Sequence, residues 1–170
     1  MDKLPVNRAT CERLLLGTDE VTVLAGTTQT GGALFAIEMR MKPGGGPPVM
    51  HRHDPGEIYH VLEGEFTFYT DEGDAGVRRA TAGPGDVVPL AGGTPHTVRN
   101  ESDADAVAFV VHAPGAPMEH FTRAVAAEAA TAGPDMATAL SIAARHGIEL
   151  LGPIPAVPPT EARTRKDDRA

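Results

Sequence analysis

Residues 45–64 read Gly45-Gly46-Pro47-Pro48-Val49-Met50-His51-Arg52-His53-Asp54-Pro55-Gly56-Glu57-Ile58-Tyr59-His60-Val61-Leu62-Glu63-Gly64. Three metal-ligating side chains, His51, His53 and Glu57, fall within seven residues. Alternate side chains of a strand share a face, so His51 and His53 can point into one cavity from one strand. Asp54-Pro55-Gly56 reads as a turn, after which Glu57 opens the next strand and can approach the two imidazoles from beside them. Further on, His96 follows Gly92-Gly93-Thr94-Pro95, a turn that could return a strand start to the same cavity. Two or three neutral imidazoles with a carboxylate suit Fe, Ni, Mn, Co, Cu or Zn. Positions left open to water or substrate would make such a site catalytic rather than structural. The expected cofactor is one divalent transition metal per chain, and the ligand types leave its identity open.

Outward from this stretch the chain reads as short β segments divided by Gly, Pro and Asp. They run Val21–Ala25, Ala33–Met41, Glu57–Leu62, Glu65–Thr70, Val77–Ala82, Asp86–Leu90, His96–Arg99 and Val107–His112. Gly26–Gly32 reads as a polar turn and Glu63-Gly64 as a hairpin turn. Many short strands with turn chemistry between them indicate an all-β sandwich or barrel. After Pro114 the character changes. Two helices are expected at Glu119–Thr131 and Asp135–His146, broken at Gly133-Pro134, with Asp135 as N-cap and Gly147 as C-cap. Ala139, Ile142, Ala143 and His146 form one stripe that can pack on the barrel. The expected organisation is an N-terminal arm over 1–19, a β-barrel over 20–114, C-terminal helices over 115–150 and a Pro-rich, charged, flexible tail over 151–170.

The spacing of these residues resembles the cupin superfamily. Its first motif is Gly, five residues, His-x-His, three or four residues, Glu, six residues, Gly, and Gly45, His51, His53, Glu57 and Gly64 stand at those offsets. Its second is Gly, five residues, Pro-x-Gly, two residues, His, three residues, Asn, matched by Gly85, Gly93, His96 and Asn100, with Ala91 where proline is usual. Twenty residues separate the two motifs, a spacing similar to that of small single-domain bacterial cupins of the quercetin-dioxygenase-like type. The resemblance implies a cupin double-stranded β-helix, or jelly-roll barrel, with a short C-terminal α-helical extension. It implies metal ligands at His51, His53, Glu57 and His96, and a homodimer, for which Leu14–Leu16 and Val21–Leu24 are candidate surfaces. Asn100 is expected to bond backbone near its strand end.

Strand parity places Tyr59 and Val61 on the inner face with Glu57, and His60 outward. Tyr59 could donate a hydrogen bond to a substrate, and Glu57, as a buried carboxylate with a raised pKa, could serve as general base. The substrate pocket is expected to draw on Phe35, Met39, Met41, Phe66, Phe68, Phe109 and His112. Arg40 and Arg52 should point outward, and His120 and His146 are structural.

Bulk properties narrow the function. A formal charge of −8 with scattered Lys and Arg argues against nucleic acid. The longest strongly apolar run, Val107–Val111, is far short of a membrane helix. A single cysteine, Cys11, excludes an internal disulfide and fits a reducing cytoplasm, as does an N-terminus without a basic-then-apolar leader. There is no Gly-x-Ser-x-Gly elbow, phosphate loop or catalytic-thiol motif. The expected function is that of a metal-dependent enzyme acting on a small, enolic or aromatic molecule, as a quercetinase-like dioxygenase. The alternatives are a non-oxidative isomerase, cyclase, lyase or decarboxylase, or a barrel that binds a small molecule without turnover.

Overall fold

The computed structural model describes residues 5–132 and 136–156. Among the described residues eleven strands form: β1 Arg13–Leu16, β2 Asp19–Ala25, β3 Phe35–Met41, β4 Val49–Arg52, β5 Gly56–Glu63, β6 Phe66–Asp71, β7 Val77–Ala82, β8 Val87–Leu90, β9 His96–Arg99, β10 Ala106–Ala113 and β11 Glu149–Pro153. Among the same residues three α-helices accompany them: α1 Thr27–Thr30, α2 Ala116–Ala132 and α3 Met136–Arg145. A six-stranded sheet runs β1-β2-β3-β10-β5-β8 and a five-stranded sheet runs β11-β4-β9-β6-β7. All pairings are antiparallel. The inner faces of the two sheets enclose the core, with Phe35, Ile37, Val61, Phe66, Ala108 and Val110 almost fully buried.

Register decides what meets what inside. On the six-stranded sheet Ile37, Val110 and Tyr59 stand opposite one another, as do Phe35, His112 and Glu57 one rung further on. The odd residues of β10 turn the other way. Phe109, expected in the pocket, lies opposite Glu38 and His60 on the outer face. It is three residues from His112, and two strand positions an odd number apart cannot share a face.

The turns are set by backbone chemistry. Gly64 joins β5 to β6 at φ +67°, where a Cβ would come within 2.4 Å of the Asp105 carbonyl oxygen. Only glycine meets both conditions. Asn100, fully buried at the end of β9, donates from Nδ2 to the carbonyls of Met41 (2.9 Å) and Ala104 (2.7 Å). Its Oδ1 accepts from Ser102 N and Oγ. It thereby ties β3 to the loop between β9 and β10.

Three features differ from the sequence reading. The polar stretch Gly26–Gly32 contains the single helical turn α1, because the Gln29 side chain accepts from Gly26 N and Glu119 accepts from Thr27 N. Arg13–Leu16, placed in an arm, is a sheet strand paired with β2 and covered by α2. The tail expected from residue 151 instead continues β11, which pairs with β4 through Pro153 and is held by Arg52 on Glu149 (2.7 Å). The N-cap expected at Asp135, and the tail beyond 156, lie outside the described residues. Among the described residues no helix is long and apolar enough to cross a membrane.

Asn100→Ala removes both donors from buried carbonyls and is predicted to destabilise the fold by about 3 kcal/mol. The check is the urea midpoint of the variant against wild type at unchanged slope.

Candidate metal centre

The site is assembled from both sheets. His51 on β4 and His96 on β9 are direct cross-strand partners in the five-stranded sheet. Glu57 on β5 and His112 on β10 are direct partners in the six-stranded sheet. His53 follows β4 by one residue, and its ring reaches the space between the sheets. The coordinating atoms of His51, His53 and His96 all lie within 4.8 Å of one another. Glu57 Oε1 is 2.7 Å from His96 Nε2 and 3.9 Å from His53 Nε2. All four of the expected ligands are therefore brought to one place.

Backbone carbonyls orient the rings. His53 Nδ1 lies 2.9 Å from the Pro55 oxygen, and His96 Nδ1 lies 2.8 Å from the Thr94 oxygen. A carbonyl only accepts, so Nδ1 carries the proton and Nε2 keeps its lone pair. These Nε2 atoms are buried and, with Glu57 Oε1, lack any hydrogen-bond partner. His96 Nε2 and Glu57 Oε1 are close but not aligned for a hydrogen bond. Buried polar atoms are normally paired. Lone pairs without donors, converging from two neutral imidazoles and a carboxylate, fit a divalent cation. His51 adds a third imidazole.

Electrostatics support the same fit. Burial pushes His51 down to about 4, and the neighbouring His96 adds to this. Burial also lowers His53. His96 moves the other way, because although burial opposes it, the Glu57 carboxylate favours its charged form. For Glu57, burial alone would raise the pKa, as the sequence reading expected. The close approach of the His112 and His96 rings outweighs it and holds the carboxyl well below the usual range. Glu57 is thus an ionised acceptor and a weak base.

His112 is the group whose role was least legible. Its Nε2 stands 2.9 Å from Glu57 Oε2, and its ring stacks on Phe35 with centroids 6.0 Å apart. It lies 55 residues from Glu57 in the chain, and only the β5–β10 register joins them. Tyr59 is buried, and burial followed by the Glu57 carboxylate raises its pKa well above the usual phenol value. It also packs edge-on against Phe68.

The metal centre opens into a cavity of about 370 Å³. Of the expected pocket residues, Met39, Met41 and His112 line it, together with Tyr59. Phe35 sits behind His112. Phe66 and Phe68 are buried in the core and do not line this cavity. The helices supply what the sequence reading did not assign: Met118, Phe121 and Val125 of α2 and Leu140 of α3 face the cavity and roof it. Their spacing of three or four residues was the available signal.

Residues 37–112 match the family model described as a cupin domain. Solved structures share the fold. A polyketide cyclase from Streptomyces resistomycificus superposes with a TM-score of 0.56 at 23% identity, over 67% of this chain and 80% of that one. A predicted oxalate decarboxylase from Thermotoga maritima gives 0.54 at 20%, over 65% and 98%. A sugar phosphate isomerase of the cupin superfamily from Silicibacter pomeroyi gives 0.51 at 21%, over 64% and 74%. No curated protein matches the chain significantly. Two antiparallel sheets close on a His-rich centre, the matched segment runs from β3 to β10, and the solved structures superpose on it, so residues 37–112 have the cupin fold.

The two lowered histidines set an acid limit. Both are neutral when folded, so the unfolded chain takes up protons that the folded chain refuses. Their contribution to stability is full above the ordinary value of 6.5 and is lost as pH falls from there toward about 4. His96, shifted upward, offsets part of this. Metal-stripped protein is predicted to melt about 5 °C lower at pH ~5 than at pH ~7, read by circular dichroism after chelation. A melting temperature that rises on acidification would contradict the assignment.

Proposed function

We propose that this cupin is a metal-dependent enzyme acting on a small organic molecule, with His51, His53, His96 and Glu57 as ligands of one divalent transition metal. The observation that carries the reading is the convergence of buried, unpartnered imidazole and carboxylate lone pairs at the closed end of a cavity. When bound, the metal would polarise a substrate oxygen and take up negative charge as it develops. The chain's own residues hold and orient. The Pro55 and Thr94 carbonyls lock the tautomers of His53 and His96. His112, directly across the strand pair, positions the Glu57 carboxylate. The apolar walls and helical roof exclude water around the opening.

Within this class we propose dioxygenation of an enolic or aromatic substrate, in the manner of quercetinase-like cupins. Three imidazoles and one carboxylate leave an M²⁺ centre net positive, which favours an enolate or phenolate. A second, non-oxidative reading draws support from the fold neighbours, whose names are those of a cyclase, a decarboxylase and an isomerase. Metal analysis of protein purified without added metal is expected to find close to one ion per chain, and His96→Ala is expected to lose most of it. Oxygen uptake that needs both metal and an enolic substrate supports the dioxygenase. Turnover at full rate without oxygen replaces it with the second reading, and absence of bound metal overturns both.

We also propose a homodimer. Ala36, Val111, Ile58 and Pro89 are cross-strand neighbours on the outer face of the six-stranded sheet, and Ile58 remains 49% exposed. Ile58→Arg is predicted to shift the protein from dimer to monomer in sedimentation velocity, and an unchanged sedimentation coefficient would remove this face as the interface.

A further inference from the structure

The cavity is much larger than the metal centre requires, and its chemistry is lopsided. At about 370 Å³ it falls within the range that encloses a molecule of many ring atoms. Among the described residues no lysine or arginine lines it, and the charged lining groups are Asp19, Glu57 and Glu128. Asp19 is committed to the fold, accepting from the backbone N–H groups of Lys42 (3.1 Å) and Gly46 (2.9 Å). Glu57 belongs to the metal centre. The arginine of α2, Arg123, is held by Glu119 (2.9 Å) and Glu12 (2.8 Å) and does not line the cavity. Among the described residues a small dianion would therefore meet two further carboxylates and no lysine or arginine. Burying charge without a partner costs several kcal/mol, about the scale of a whole protein's stability margin.

The roof points the same way. Met118, Phe121, Val125 and Ala129 form the apolar stripe of α2 and line the cavity, Met118 and Phe121 also packing on the core behind it. Methionine and phenylalanine there give a smooth, adaptable apolar wall. Two polar groups interrupt the stripe. Thr122 is 5% exposed and lines the cavity with no hydrogen-bond partner for its hydroxyl among the described residues. Glu128 lines it further along, about 15 Å of helix beyond Met118, and its carboxylate forms no ion pair or hydrogen bond among the described residues.

We infer that the cavity selects an elongated, predominantly apolar substrate without carboxylate or phosphate groups, and that Thr122 and Glu128 recognise hydroxyls carried away from its reacting end. The orientation, with the enolic oxygen toward the histidines, rests on the function proposed above; the size and charge selection do not. Glu128 accepts only, so the group it reads must donate, and a hydroxyl on a distal ring fits.

The test uses the full chain, metal-free and metal-loaded, with 3-hydroxyflavone as the apolar enol, a flavonol bearing distal-ring hydroxyls, oxalate and ribose 5-phosphate. The protein has no tryptophan, so flavonol fluorescence reports binding directly. Metal content is measured on the same samples. Both flavonols are expected to bind even the metal-free protein, and oxalate or ribose 5-phosphate at about 100-fold excess should not displace them. Val125→Trp should weaken both flavonols about tenfold or more at unchanged metal content, with Leu140→Phe as a milder filling variant should the first fold poorly. Glu128→Leu should remove about a tenfold preference for the hydroxylated flavonol, the scale of one net hydrogen bond, while Glu128→Gln keeps part of it. Displacement by either dianion at comparable concentration overturns the inference, as does metal-loaded protein that binds no flavonol. Flavonol binding that survives in a chain unable to hold metal supports this inference and sinks only the metal reading.

Discussion

A carboxylate buried between two apolar sheets needs favourable neighbours to stay there. In this chain those neighbours come from strand register. Glu57 is 4% exposed, and the group directly across the ladder from it is His112. His51 and His96 are related in the same way on the opposite sheet. Two rungs, one per sheet, thus face each other across the barrel, and His53 closes the gap from a strand end. A slip of one residue in either pairing would turn these groups to the outer faces. The packing of Ile37, Val61 and Val110 on the inner faces opposes such a slip, so the hydrophobic core and the metal centre depend on the same registers.

The helical extension completes the barrel at its open end. Its attachment is polar and local. Glu119 on α2 accepts from Thr27 N at the start of α1 (2.6 Å) and from Arg123, which also reaches Glu12. A Cβ on Gly26 would come within 2.9 Å of Glu119 Oε1, so the loop before α1 is shaped to admit that carboxylate. The network fixes where α2 lies over β1, and that placement turns the stripe from Met118 to Ala129 toward the metal centre rather than toward solvent. β11 then returns the chain to the edge strand β4, beside the histidines. Roof and site are joined by short chain segments at both ends.

Several features were legible before any coordinates because their causes are local. Gly64 needs a positive φ where β5 turns into β6. Asn100 needs backbone partners at a strand end. The His51, His53 and Glu57 spacing needs one strand, one turn and another strand. Parity also put His60 and Tyr59 on opposite faces. Where the reading went astray, the cause was non-local or inconsistent parity. Phe109 and His112 could not both face inward. Phe66 and Phe68 have inward parity but lie where the core is already filled. A Pro- and Gly-containing segment at Gly152-Pro153 looked like the start of a loose tail, yet an edge strand tolerates both residues.

From its residues alone this chain determined a cupin-type barrel and nominated four ligands, since hydrophobic alternation, turn glycines and ligand spacing act over a few residues and leave a pattern in one dimension. Only the tertiary structure decided that His112 partners Glu57, that the Glu57 carboxyl is held low rather than raised, and that α2 and α3 line the cavity with apolar side chains. Those outcomes depend on distances between groups tens of residues apart and on the balance between burial and neighbouring charge. Neither quantity exists until the sheets have closed.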